Sequence, residues 1–370
     1  SAPETEFRQL TAFIYPPLIS FPHCTIFLPN MEVPFLVEHF VEKCGLCDIM
    51  TSKKKRGSVM GIVIIGAIFV DIKGYPESTF TPTGRNVGRV EQIHGGVGRN
   101  VAEDVANCEL RPTFLSLVDE SSTGEDVLRK LRSHKVNTDY ICATPDGIGT
   151  WLAVFNNEGD VVASISKRPN LLPIADILDE QGDEIFSRAD SIIIEIDLDK
   201  EIVKRVFRLA KKYGKKVFAV VSNMNIALER RDFLMNVDCF VCNQQEAGIL
   251  FSSDYSACTP TELMDIIAEK TQAACINSLI VTMGCNGAVY ADRQGNRGHC
   301  PARPVHVRDT TGAGDAFCAG AAIGLTYGKD LAQACEIGAY LASSVIVTSE
   351  SVCPRFRPKE LGLDIVVPEA

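Results

Sequence analysis

The stretch Asp309-Thr310-Thr311-Gly312-Ala313-Gly314-Asp315-Ala316-Phe317 decides how this chain is read. The residues that follow, Ala316 to Leu325, are small and apolar and predict a buried helix; those before it, Val305-His306-Val307, read as strand. A glycine-rich turn at a helix N-terminus leaves backbone N–H groups unpaired, and the helix dipole favours negative charge there. The turn is therefore a candidate anion site. Asp315 puts a carboxylate beside that anion, where repulsion would ordinarily forbid one. Such a carboxylate makes sense as a base that takes the proton of an attacking hydroxyl. A tight turn with Asp315 as a helix cap accounts for the same spacing without any chemistry.

Outward from this turn, continuous apolar runs alternate with helical sequence. Ile62 to Gly66, Thr113 to Val118, Ser191 to Ile196, Lys216 to Val221, Cys239 to Cys242 and Ser278 to Thr282 read as strands. Asn100 to Asn107, Gly124 to Ser133 and Lys200 to Tyr213 read as helices. Continuous apolar strands interleaved with helices mean an α/β chain whose mostly parallel sheet is covered on both faces. The rhythm breaks at residues 72–94 and 141–168, which hold short alternating strands around a hairpin turn at Asn156-Asn157-Glu158-Gly159-Asp160. These two segments are expected to pair into a small β lid over a site.

Composition bounds the partners. Across 370 residues, 37 Lys and Arg face 47 Asp and Glu, and the net charge of -10 argues against coating nucleic acid or an anionic membrane. The longest apolar run, Val59 to Val70, is shorter than the roughly 20 residues a membrane-spanning helix needs. The first residues show no basic region leading into an apolar one, and the 14 cysteines are scattered without a disulfide pattern, so reduced thiols in the cytoplasm are expected.

Residues 1–57 differ from the rest and form an N-terminal extension of unknown role, ending in the basic run Lys53-Lys54-Lys55-Arg56. Within it His23, Cys24, Cys44 and Cys47 could be assembled as zinc ligands, but no ligand spacing repeats and unrelated thiols are the simpler reading. Cys239 and Cys242 share a strand at i, i+3, so they point to opposite faces and cannot ligate together. The main domain is placed at residues 58–363, with 364–370 as a C-terminal tail.

The residues from Asp309 to Phe317 resemble the C-terminal signature of the ribokinase-like (PfkB) sugar and nucleoside kinases. Four further segments resemble that family in its own order: Gly66-Ala67-Ile68-Phe69-Val70-Asp71, Gly95-Gly96-Val97-Gly98-Arg99-Asn100-Val101-Ala102, Asn243-Gln244-Gln245-Glu246-Ala247 and Val281-Thr282-Met283-Gly284-Cys285-Asn286-Gly287-Ala288. The resemblance implies a three-layer α/β/α sandwich with a β lid, and a kinase using ATP and Mg²⁺. It implies Asp315 as general base and the N–H groups of Gly312, Ala313 and Gly314 as an anion hole for the phosphoryl group in transfer. Asp71, Gly95, Gly96 and Asn100 would hold the sugar hydroxyls; Thr282, Gly284 and Gly287 would touch the nucleotide. Asn243 and Glu246 would act on Mg²⁺ through water, although Asn followed three residues later by Glu is also a helix-capping pattern. Asp309 and Thr311 become candidates for a monovalent cation such as K⁺.

Within the family, Asn86-Val87-Gly88-Arg89-Val90, Gly95 to Glu103 and the strand Gly149 to Val154 look most like pseudouridine kinases. Two departures stand out: Ser166-Lys167-Arg168 replaces an Asn-Asp pair, and Val220-Val221-Ser222-Asn223 replaces Asp-Pro-Val-Ser. Arg99 could face the pocket or support it. The expected activity is phosphorylation of the 5′-hydroxyl of pseudouridine, with a homodimer formed through the lid. A kinase for ribose, another sugar or adenosine is the alternative in the same class. A catalytically silent family member acting as a binding subunit is the alternative in another. A dinucleotide-binding oxidoreductase is disfavoured, because Gly95-Gly96-Val97-Gly98 lacks the third glycine of that fingerprint.

Overall fold

The computed structural model describes residues 61–365. The extension at 1–57, with its zinc-ligand candidates, lies outside the described residues, as do the last five residues of the tail. In chain order the main elements are β1 (Ile62–Ile65), β2 (Phe69–Pro76), β3 (Gly88–Gly95), α1 (Val97–Asn107), β4 (Thr113–Val118), α2 (Ser122–Ser133), β5 (Ile141–Ala143), β6 (Gly149–Phe155), β7 (Val161–Lys167), α3 (Ile174–Arg188), β8 (Ser191–Glu195), α4 (Lys200–Tyr213), β9 (Val217–Val220), β10 (Cys239–Asn243), α5 (Gln244–Phe251), α6 (Pro260–Ala273), β11 (Ser278–Thr282), β12 (Ala288–Asp292), β13 (Arg297–Cys300), α7 (Ala313–Thr326) and α8 (Leu331–Val345).

A nine-stranded sheet runs in the order β13-β12-β11-β10-β9-β8-β1-β4-β5. It is parallel from β5 to β11, and β12 and β13 close one edge as an antiparallel hairpin. The apolar runs are strands because both of their faces are covered. Val63, Ile65, Ile192 and Ile194 enter the core beneath α3, α4 and α6, whereas Ile62, Ile64 and Ile193 enter the opposite core beneath α1, α2, α7 and α8. This alternation of period two divides the molecule into three layers, helices on a sheet on helices. Cys242 and Cys239 fall into these two cores respectively, so the pair faces opposite ways and each thiol is buried.

The predicted buried helix is α7. Its small residues let α8 approach closely: a Cβ on Gly320 would come within 2.8 Å of Gly338 Cα, and one on Gly338 within 2.8 Å of the Phe317 carbonyl oxygen. The segment Val305 to Val307 is not a strand. It sits between Pro301, Pro304 and the glycine turn, and Val305 and Val307 are exposed with no neighbouring strand to pair with.

A second sheet of four strands, β3-β2-β6-β7, is built from the two segments that broke the rhythm. One part of them goes elsewhere. Ile141–Ala143 pairs with β4 at the edge of the main sheet, because the three residues continue the parallel register set at Ser116 to Val118. In the small sheet β2 pairs antiparallel with β3 and parallel with β6. Asp71 lies level with Ile93 and Trp151; two residues on, Lys73 lies level with Glu91 and Ala153. These residues share one face, and Lys73 and Ala153 are buried on it. The other face carries Val90, Leu152 and Ile165, all exposed.

Candidate active site

The site gathers at the C-terminal ends of the central strands, where open α/β sheets bind their ligands. Gly312 caps α7 with φ 82, and a Cβ there would lie 2.0 Å from the Ser351 carbonyl oxygen, so only glycine fits this turn. The N–H of Ala313 donates to the Thr310 carbonyl at 3.2 Å. The N–H groups of Gly312 and Gly314 make no such bond, and a Cβ on Gly314 would meet only open space. The glycine turn thus aims two free donors and the start of a helix at an open position.

Asp315 sits in the first turn of α7 and accepts a hydrogen bond from Asn100 Nδ2 at 2.7 Å. Burial pushes its carboxyl up to about 7, against the Asn100 hydrogen bond and the Arg99 charge, while Glu246 and Asp71 add repulsion. A general base works best with a pKa near the operating pH, and Asp315 is held there. Asn100 comes from the first turn of α1, and the Ser351 hydroxyl reaches its Oδ1 at 3.5 Å.

On the other side stands Asp71 on β2. Burial raises its carboxyl, opposed by Lys73 and Arg99. A Cβ on Gly95 would come within 2.5 Å of Asp71 Oδ2, so glycine is what lets the two strands place this carboxylate. Gly96, with φ 100, turns the chain from β3 into α1. Arg99 supports the site and does not line it: it is 1% exposed, bonds the Glu103 carboxylate and donates to the His94 carbonyl.

Two acids at the end of β8 escaped the sequence reading. Glu195 Oε1 accepts from Ala67 N at 2.8 Å and from Gly98 N at 2.6 Å. Gly66 and Gly98 face this carboxylate so closely that a Cβ on either would lie within 2.7 Å of Oε1. Glu195 therefore caps α1 from a distance and ties it to the turn leading to Asp71. Burial, with the neighbouring Asp197 carboxylate, pushes Glu195 up to about 8. Asp197 accepts from Ser222 N at 3.0 Å, Asn223 N at 3.1 Å and Arg168 Nη2 at 3.3 Å. The signal available in sequence was an acid directly after Ile192-Ile193-Ile194, at the open end of a central strand.

Asn243 and Glu246 make a reciprocal capping box on α5: Glu246 N donates to Asn243 Oδ1 at 2.8 Å, and Asn243 N to Glu246 Oε2 at 2.7 Å. The capping reading of this pair is thus what the geometry contains. The second Glu246 oxygen stays uncommitted, and its charge reaches Asp315. No cluster of three or more His, Cys, Asp or Glu able to cage a metal occurs among the described residues. The donors fit an ion that keeps its own waters, as Mg²⁺ does, and not a closed cage. Thr282 lies level with Asn243 on the neighbouring strand. Gly284 and Gly287 form the turn into β12, and a Cβ on Gly287 would lie 2.1 Å from the Cys300 carbonyl oxygen. Asp309 Oδ1 accepts from Thr311 N at 2.8 Å, closing the loop ahead of Gly312.

The model of the pfkB family of carbohydrate kinases matches residues 60–355. The chain belongs to this family. It is 34% identical over 292 residues to the guanosine-inosine kinase of Exiguobacterium acetylicum, covering 78% of this chain and 95% of that one. It is 27% identical over 263 residues to the pseudouridine kinase of Escherichia coli K12, covering 70% and 82%. The fold is that of Arabidopsis thaliana ribokinase, solved with ribose and ATP: TM-score 0.71 at 20% identity, over 82% of this chain and 99% of that one. As a PfkB kinase the chain is a phosphotransferase of the sugar and nucleoside kinase group. Among the described residues no helix is long and apolar enough to cross a membrane.

Proposed function

We propose that this PfkB chain transfers the γ-phosphoryl group of ATP to the 5′-hydroxyl of a ribonucleoside. One observation carries the nucleoside reading over the free sugar. Asp71 and Trp151 are level neighbours on one face of the small sheet, about 4.8 Å apart in backbone, with Trp151 half-buried. A ribose held by the Asp71 carboxylate places its base over the indole, and stacking on such a ring is worth roughly 1–3 kcal/mol.

Asp315 takes the proton of the 5′-hydroxyl, and Asn100 fixes the carboxylate that receives it. The free N–H groups at Gly312 and Gly314 face the charge that develops on the phosphoryl oxygens. Mg²⁺, when bound through water near Glu246 and Asn243, supplies charge neutralisation to the triphosphate. Asp309 and Thr311 remain the candidates for K⁺, and Thr282, Gly284 and Gly287 for the nucleotide. The lid sheet covers the site, and a second copy of the chain covers the exposed Val90, Leu152 and Ile165 of its outer face. The described cysteines are all free thiols, in keeping with a cytoplasmic setting.

Guanosine or inosine is the first choice of substrate and pseudouridine the second. The two departures from the pseudouridine pattern are one physical unit, since Arg168, Ser222 N and Asn223 N all bind Asp197. The relative that is 34% identical acts on guanosine and inosine. ADP release with ATP and Mg²⁺ across guanosine, inosine, pseudouridine, uridine, adenosine, ribose and fructose tests this. Guanosine or inosine should give the highest kcat/KM, and a clear preference for ribose or fructose would overturn the nucleoside reading.

A further inference from the structure

Arg168 stands one residue past β7, at the end of the stretch Ser166-Lys167-Arg168. Across the lid sheet Ser166 lies level with Trp151, and Trp151 with Asp71. Two residues beyond Ser166, the alternation returns Arg168 to that same inner face. Its contacts agree: Nη2 donates to the Asp197 carbonyl oxygen at 3.2 Å and to Asp197 Oδ2 at 3.3 Å. Asp197 lies just past the open end of β8, and its charge reaches Glu246. Phe69, two residues before Asp71, lies level with Gly149, and a Cβ on that glycine would come within 2.6 Å of the ring. The inner face thus carries a phenyl ring, an indole and a guanidinium beside the Asp71 carboxylate.

Asp197 is buried, and its carboxylate is already held by Ser222 N at 3.0 Å and Asn223 N at 3.1 Å. The ion pair therefore orients the arginine more than it holds the aspartate. A guanidinium placed as a latch would give a carboxylate its planar fork, with two parallel N–H···O bonds. Arg168 gives Asp197 one nitrogen only. Its Nε and Nη1 have no acceptor among the described residues, and the side chain stays 41% exposed. An oriented guanidinium with open donors, on the face that carries the indole, is suited to reading the edge of a stacked base.

We propose that Arg168 reads the 6-oxo edge of a purine, donating to O6 and N7, and so selects guanosine and inosine among nucleosides. The proposal rests on the nucleoside kinase reading above. A 6-oxopurine sets O6 and N7 side by side, two acceptors at the spacing of a guanidinium fork. Adenine sets an amino donor beside N7, so donor would face donor. Uridine and pseudouridine separate their two carbonyls by N3–H and offer no such pair. Arg168 touches none of the reacting atoms. It fixes the base while Asp71 fixes the ribose, which leaves the 5′-hydroxyl held toward Asp315.

Trp151 is the chain's one tryptophan, so its fluorescence reports nucleoside binding without phosphoryl transfer. The full chain and its Arg168→Lys and Arg168→Gln variants would be titrated with inosine, 7-deazainosine, adenosine and purine riboside (which lacks O6). kcat/KM would be measured for each with ATP and Mg²⁺. The parent chain should bind inosine roughly 5–150-fold more tightly than purine riboside or adenosine, with 7-deazainosine between them. R168K keeps a charge for Asp197, but an ammonium cannot offer the planar fork. In R168K and R168Q the preference for inosine should collapse while purine riboside changes little. A merely structural arginine would weaken every nucleoside alike, and that result would overturn the proposal. So would equal binding of inosine and purine riboside by the parent chain, whatever the variants do. Arg168-dependent binding of inosine with no nucleoside monophosphate formed would refute the kinase reading and leave the Arg168 contact standing.

Discussion

At the residue scale the site depends on two carboxyls held far above their ordinary range, and each has its own pH signature. Asp315 is pushed up to about 7 and acts as a base only when ionised. kcat/KM should therefore rise with pH through about 7 and level off above it; a flat profile from pH 5.5 to 9 would count against Asp315. Burial holds Glu195 at about 8 in the folded chain, against an ordinary glutamate value of 4.5. A raised pKa means that the stability tied to this group is complete below about 4.5 and is lost as pH rises through 8. The Tm of the parent chain should fall between pH 5 and 9. In Glu195→Gln that fall should flatten, since Gln accepts the same two N–H groups and has no proton to lose. An equal slope in both would show that the carboxyl does not carry this dependence.

At the element scale, α1 is positioned by its neighbours and not by a cap of its own: Gly96 offers no side-chain bond, and Glu195 supplies the missing acceptor. Gly98→Ala would set a Cβ 2.7 Å from both Glu195 Oε1 and Gly66 Cα. Overpacking of this kind typically costs about 1–3 kcal/mol. The variant should melt lower and show a raised KM for the acceptor, because Asn100 rides on the same turn; parental KM and Tm would refute the staple. Trp151→Ala should raise KM for nucleosides roughly 5–100-fold, in keeping with about 1–3 kcal/mol of stacking. It should do far less to ATP affinity, and an unchanged nucleoside KM would remove the indole from the pocket.

The strands were legible in sequence because continuous apolar runs such as Ile62 to Ile65 can be buried only on two faces. The glycine turn was legible because Gly312 and Gly314 stand directly before a small-residue helix. What escaped depends on contacts between distant segments. Val305 and Val307 carry a strand's composition but have no strand beside them. Ile141–Ala143 read as lid because nothing local reveals its register with β4. Glu195 gains its role from Gly66 and Gly98, which lie 129 and 97 positions away in the chain.

At the scale of the whole molecule, the lid sheet leaves Ile165 70% and Val90 72% exposed on its outer face. If a second copy covers that face, Ile165→Glu should shift the sedimentation coefficient from dimer to monomer, while a parent chain that sediments as a monomer at micromolar concentration would exclude the dimer. The central claim, that Asp315 drives phosphoryl transfer to a nucleoside 5′-hydroxyl, is tested most directly by comparing the parent chain with Asp315→Asn. Both would be assayed with ATP, Mg²⁺ and guanosine, and the product identified by mass spectrometry and ³¹P NMR. The swap is nearly isosteric and keeps an oxygen for Asn100, so the variant should fold and melt at or above the parent temperature at pH 8. The account predicts a 5′-monophosphate from the parent chain and a kcat lower by roughly 10²–10⁴-fold in the variant, with ATP affinity little changed. Full turnover by a folded Asp315→Asn variant would contradict it.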